Sequence, residues 1–169
     1  SDIPEEKAMK QIMREIRKRV PVGFNWHQEP QEWEGFDRAP EPEVIRNNLE
    51  KARHQLGTLG GGNHFIEIQR GSDGHLWIMV HCGSRNFGLQ IANYYHQLAR
   101  NLCDKRGIRV PNKELSYLPT GSGQEGDEYM TAMHYAIDFA KANRDRIMKE
   151  ILEVLGLEAA EQINIHHNY

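Results

Sequence analysis

HFIEIQRGSDGHLWIMVH, residues 64–81, contains two strand-like runs, 64–69 and 75–81, separated by the turn-forming RGSDG at 70–74. A tight turn over Gly71, Ser72, Asp73 and Gly74 pairs Arg70 with His75, and counting outward from there sets His64 opposite His81. Directly opposed antiparallel residues have Cα atoms about 4.5–5.5 Å apart and side chains on one face. Two imidazoles at that separation can share a metal ion or hold neighbouring ions. The same register puts Phe65 and Glu67 together on the face opposite His64. Register decides everything here, because a slip of one residue breaks the pairing and offsets the faces.

A lone histidine at a strand end is more often a hydrogen-bonded structural residue than a ligand, so the flanking residues carry weight. GGGN, residues 60–63, precedes His64. Glycines there allow positive φ and close approach of the backbone to a ligand, with N–H groups turned toward a phosphate, although they also build ordinary turns. CGSRNFG, residues 82–88, follows His81 and runs into a helix. The Ser84 hydroxyl, the Arg85 guanidinium and the first N–H groups of that helix therefore meet where a helix N-terminus favours an anion. Cys82 is not a phosphatase nucleophile on this reading, since the position six residues on, where the phosphate-clamping Arg belongs, is Gly88. Neither a Cys-x-x-Cys pair nor a His-Glu-x-x-His run is present.

Helical spacing surrounds the hairpin. Residues 2–20 place Met9, Ile12, Met13, Ile16 and Val20 on one face, with acids first and bases last. The six Lys and Arg residues of that segment read as a solvated face in preference to an RNA path. Residues 21–42 hold four prolines and no sustained period, which implies an irregular loop. Residues 42–56 resume a helix through Ile45, Leu49, Ala52 and Leu56, and residues 88–107 form another through Ile91, Tyr95, Leu98, Ala99 and Cys103, closed by Gly107. A capping box of Ser122 and Glu125 opens a last helix, whose stripe runs through Met130, Met133, Ile137, Ala140, Ile147, Ile151 and Leu155 to Gly156. QINIHHN, residues 162–168, alternates like a final strand.

The totals fit one soluble domain: 169 residues, 38% hydrophobic, 27% charged, net charge −3. No apolar stretch has the length of a membrane span or signal-peptide core, and two cysteines give no disulfide framework, so a cytoplasmic location with reduced thiols is expected. Nine histidines are many for this length, and several stand at strand ends. The fold class expected is mixed α+β, with a sheet carrying the site and helices covering it. The first residues, SDIPEE, and the last, INIHHNY, suggest an excised piece.

LGTLGGGNHFIEI at 56–68, VHCGSRNFG at 80–88 and the terminal HHNY together, in that order, resemble the RtcB family of RNA-splicing ligases. EGDEYMTAMHYAIDFAKANR at 125–144 and the early VPVG are also similar to that family, so the likeness covers most of the chain. The resemblance implies a manganese- and GTP-dependent ligase, with one or two ions. Such an enzyme joins an RNA 3′-phosphate or 2′,3′-cyclic phosphate end to a 5′-hydroxyl end through a guanylylated histidine, in tRNA splicing or RNA repair. By motif, it assigns His64, His81 and His167 to metal, Asn63 and Asn168 to nucleotide phosphates, Phe65 and Glu67 to guanine, and Ser84 and Arg85 to a phosphate or RNA end. Zn²⁺, Co²⁺ or Ni²⁺ also suits imidazole ligands and could replace Mn²⁺.

The family's upstream Asp and Cys ligands would precede residue 1, and its guanylylated histidine would lie beyond Tyr169. Residues 1–169 are thus expected to be the central part of the catalytic domain, inactive alone. His166 is a candidate to support the site from behind, with surface exposure or core hydrogen bonding as equal alternatives, while His27, His54, His96 and His134 are expected to be structural or solvated. Two other functions use the same residues: a metal-dependent phosphoesterase, or a non-catalytic nucleotide- or RNA-binding module.

Overall fold

The computed structural model describes residues 6–121 and 124–166, the side chain of Gln124 excepted. Among the described residues, four helices and one hairpin follow in the order α1 (Glu6–Arg19), α2 (Glu43–Gln55), β1 (Phe65–Arg70), β2 (Leu76–His81), α3 (Phe87–Arg106) and α4 (Gln124–Leu155), a mixed α+β fold. Short 3-10 turns at Glu34–Arg38 and Lys113–Leu115 punctuate the connections. Residues 21–42 are irregular apart from the first of these turns, as four prolines dictate. Among the described residues no helix is long and apolar enough to cross a membrane.

α4 is the spine. Its 32 residues span about 48 Å and reach across two separate apolar clusters. The first half packs Ala132, Tyr135, Ala136 and Phe139 against Phe36, Ile45 and Leu56 from the α2 region and Phe87, Ile91 and Tyr95 from α3. The second half packs Ile147 and Ile151 against Ile16 and Val20 of the α1 region, with Leu59 and Cys82. The stripe expected for this helix is correct in its second half and rotated in its first: Met130 is exposed, and Tyr135 and Phe139 point inward instead. Two aromatic rings fill the first cluster better than methionines would, and Trp33 closes over them at 5.5 and 5.8 Å. The Ser122 half of the expected capping box lies outside the described residues.

The hairpin register differs from the expectation by one residue. Arg70 pairs with Leu76, and Phe65, not His64, pairs with His81. The turn explains the shift. Gly74 N–H donates to Gly71 O at 3.0 Å, Gly71 N–H donates to His75 O at 2.8 Å, and Gly74 has φ +80°. This is a three-residue loop ending in a glycine bulge, which uses one more residue on the β2 side than a two-residue turn. Ile66, Ile68, Ile78 and Val80 consequently face the second apolar cluster. Phe65, Glu67, Trp77 and Met79 lie on the outer, exposed face. The sheet is this one hairpin, covered by helices on its inner face.

The strand expected at 162–168 does not form over its described part: residues 162–166 have no strand pairing, and Ile163 and Ile165 are exposed. Side-chain bonds hold this segment instead, since Asn164 accepts from Arg144 Nε at 2.8 Å and donates to Lys141 O at 3.2 Å.

Candidate metal and phosphate site

Three chain segments converge at the open end of the hairpin: the glycine run 57–63, the exit from β2 at 81–85, and residues 20–23. A single parallel bridge between Val22 and Leu59 brings the last of these alongside the first. Asn143 of α4 then ties the other two together. Wholly buried, it accepts the N–H groups of Gly57 at 2.7 Å and Thr58 at 3.2 Å, and donates to Thr58 O at 3.2 Å and Gly83 O at 3.0 Å.

Although His64 and His81 are not register partners, their rings still meet, with centroids 5.7 Å apart. His64 precedes β1 and is therefore not bound to the alternation of faces, so its ring swings toward His81. Phe65 stacks on His81 from the other side at 5.5 Å and 20°. Gly60 makes the position of His64 possible: a Cβ there would stand 1.9 Å from His64 Nδ1 and 2.8 Å from Arg85 Nη1. That Nδ1 is buried and has no hydrogen-bond partner among the described residues. Burial first, and then the neighbouring His81 and Arg85, push the His64 imidazole below the usual histidine range, which favours the neutral, metal-binding form.

Arg85 faces the same space but is already engaged. It sits at φ +52°, followed by Asn86 at +72°, a left-handed pair unusual for residues with side chains. Its Nε donates to Thr58 Oγ1 at 2.8 Å and its Nη2 to Gly23 O, so the guanidinium locks the glycine run to residues 20–23. Ser84 caps α3: its Oγ accepts from Gly88 N–H at 2.9 Å and its carbonyl from Phe87 N–H. The first two N–H groups of α3 are thus satisfied within the chain. The Ser84 hydroxyl proton is left to donate.

Asn63 is exposed beside His64, and Glu67 is exposed one turn of the pleat beyond Phe65. The structure therefore gathers His64, His81, Phe65 and Arg85 closely, places Asn63 and Glu67 at the rim, and sets Ser84 at the head of α3. His167 and Asn168 lie outside the described residues. Among the described residues no group of three His, Cys, Asp or Glu side chains could hold a metal ion. Of the remaining histidines, His27 and His54 bond backbone carbonyls of Gly57 and His27, His134 bonds Met130 O, and His96 Nε2 lies 3.3 Å from the Glu114 carboxylate.

Sequence reasoning overlooked Thr58, Asn143 and Arg144 as parts of this arrangement. Asn143 did leave a signal: Phe139, Asn143 and Ile147 follow at intervals of four, so a polar residue interrupts the buried stripe of α4. Arg144 beside it donates from Nη1 to Cys82 O at 3.2 Å.

A family model described as tRNA-splicing ligase RtcB matches residues 1–169. RNA-splicing ligase RtcB of Escherichia coli strain K12 is 37% identical over 133 residues, covering 72% of this chain and 32% of the relative. tRNA-splicing ligase RtcB of Thermococcus kodakarensis is 31% identical over 170 residues, covering 89% of this chain and 35% of the relative. The protein of the same name from Pyrococcus furiosus is 32% identical over 151 residues, covering 79% and 16%. The chain spans about a third or less of the length of these relatives. Because that family model matches this sequence over residues 1–169, this chain belongs to the RtcB family of tRNA-splicing ligases.

Proposed function

We propose that this chain contributes the metal- and nucleotide-holding part of a GTP-dependent RNA ligase that joins 3′-phosphate or 2′,3′-cyclic phosphate ends to 5′-hydroxyl ends. The observation that carries the reading is His64 Nδ1: buried, without a hydrogen-bond partner among the described residues, close to His81, and seated where only glycine at position 60 leaves room. A buried polar atom without a partner is costly, and a cation that accepts its lone pair removes the cost. His64 and His81 would hold a divalent cation, Mn²⁺ by the family resemblance, with His167 as a third ligand. The cation neutralises phosphate charge and orients attacking and leaving oxygens.

The remaining roles fall to the chain's own side chains. Phe65 offers an exposed ring against which guanine stacks, and Glu67 offers a carboxylate that accepts from the N–H groups on the guanine edge. Asn63 and Asn168 donate to nucleotide phosphates. Arg85 keeps the glycine run in place and directs positive charge at the site, and the Ser84 hydroxyl donates to a phosphate oxygen.

The test uses a ligase of the relatives' full length that carries these residues. With His64→Ala or His81→Ala, covalent labelling by GTP and joining of a 3′-phosphate end to a 5′-hydroxyl end are both lost while the fold persists. Unchanged labelling in either variant overturns the assignment. Mn²⁺-stimulated opening of a cyclic phosphate without GTP points to a phosphoesterase instead, and GTP binding without labelling points to a binding module.

A further inference from the structure

The groove between the start of α3 and the middle of α4 encloses about 290 Å³, at the small end of ligand-sized cavities. Its wall is apolar along Ile91, Tyr129, Met133 and Ile137, and Ser84, Arg144 and His166 also line it. Small residues open it, since Gly88, Ala136 and Ala140 line the two helices where larger side chains would fill the space.

Arg144 makes no ion pair among the described residues, although Asp145 lies close enough to favour its charge. Its Nε donates to Asn164 Oδ1 at 2.8 Å and its Nη1 to Cys82 O at 3.2 Å, whereas Nη2 is buried with no partner among the described residues. The adjacent carboxylate, Asp145, is taken up by Lys141 at 2.9 Å and by the Asn164 amide. A guanidinium whose Nη2 is buried with its N–H groups unmet, and whose other bonds go to neutral groups, lacks an acceptor there, and an anionic oxygen supplies one best. Ser84 adds a second donor, its oxygen being committed to Gly88 N–H and its proton not.

The geometry points to a nucleotide-phosphate subsite in this groove: Arg144 and Ser84 bind the phosphate, and Tyr129 with Met133 receives the attached base or sugar. The proposal rests on the ligase reading for the source of the phosphate, an RNA 3′ end, and the phosphate that Ser84 meets in that reading is the one placed here. The groove lies on the α3–α4 side of Ser84, and neither His64 nor His81 lines it.

The experiment is titration of the chain in EDTA, so that metal binding plays no part. One ligand is a short single-stranded RNA ending in 3′-phosphate, another the same RNA ending in 3′-hydroxyl, and the third is GMP. The Arg144 Nε–H resonance is followed by NMR alongside calorimetry. We expect the phosphorylated RNA to bind and to shift that resonance, the 3′-hydroxyl RNA to bind about tenfold more weakly, and Arg144→Gln to lose about the same factor. Arg144→Lys recovers part of the loss, and Lys105→Gln, an exposed charge change at the far end of α3, changes nothing. If Arg144→Gln fails to fold, the wild-type resonance alone decides. Binding of GMP but of neither RNA keeps the phosphate subsite and counts against the ligase reading. An Arg144 signal unmoved by every ligand, or equal affinity in Arg144→Gln, overturns the subsite.

Discussion

Asn143, in the middle of α4, takes the Gly57 amide proton on its side-chain oxygen at 2.7 Å and lies wholly out of solvent. Its bonds to Thr58 and Gly83 make one side chain the fastening between the glycine run before His64 and the exit from β2. Asn143→Ala leaves several buried backbone groups unmet at once. A loss of about 3–5 kcal/mol in urea denaturation is expected. Asn143→Asp keeps the acceptor but turns a second oxygen toward the Thr58 and Gly83 carbonyls, and destabilises comparably. A loss below about 1 kcal/mol in both variants would show that the fastening is dispensable.

Gly60→Ala tests the seat of His64 without touching a candidate ligand. The added methyl coincides with the imidazole, so the ring must leave its place beside His81. NMR of the histidine ring protons reads this as a displaced His64 signal, with divalent-cation affinity lowered by about tenfold or more. Unperturbed His64 and His81 signals in a folded variant would contradict the packing described.

Gly74→Ala tests the hairpin register. No atom lies within 4 Å of the added methyl, so the cost is the left-handed backbone alone, about 1–2 kcal/mol. Gly74→Asn, whose side chain tolerates that conformation, recovers most of it. Equal stability of the alanine and glycine forms would mean that the bulge is not present in solution.

Stability should also fall on mild acidification. Burial, opposed by the bond to Gly57 O and helped by Arg146, holds the His27 imidazole below its ordinary range. The unfolded chain therefore takes up this proton first, so stability is complete above about pH 6.5 and declines as pH drops from there toward the lowered folded value, then levels off. His64 is shifted in the same direction, so His27→Gln should reduce the slope of melting temperature against pH without abolishing it. An unchanged slope in that variant would remove His27 from the account.

How much of this was legible follows from which forces are local. Helix α3, with Ile91, Tyr95, Ala99 and Cys103 inward and Gly107 at φ +66° ending it, was readable because period and stop signal sit in the same twenty residues. The hairpin was readable as an element but not in register, because Gly71–Gly74 supports a two-residue turn and a bulged three-residue loop with the same letters. The meeting of His64 and His81 survived that error only because His64 stands before the strand. The roles of Asn143 and Arg144 were hidden for another reason. Their partners, Gly57, Thr58, Cys82 and Gly83, are sixty and more residues away, and no local pattern encodes such a bond.

The central claim is that His64 and His81 hold one divalent cation between them. Electron paramagnetic resonance of Mn²⁺ titrated into the chain measures this directly, since the sharp six-line signal of the aqueous ion weakens on binding and nitrogen couplings report imidazole ligands. The account predicts a bound ion coupled to histidine nitrogen, with binding lost in both His64→Ala and His81→Ala. An ion that binds equally well to both variants, or shows no nitrogen coupling in the wild type, would contradict it.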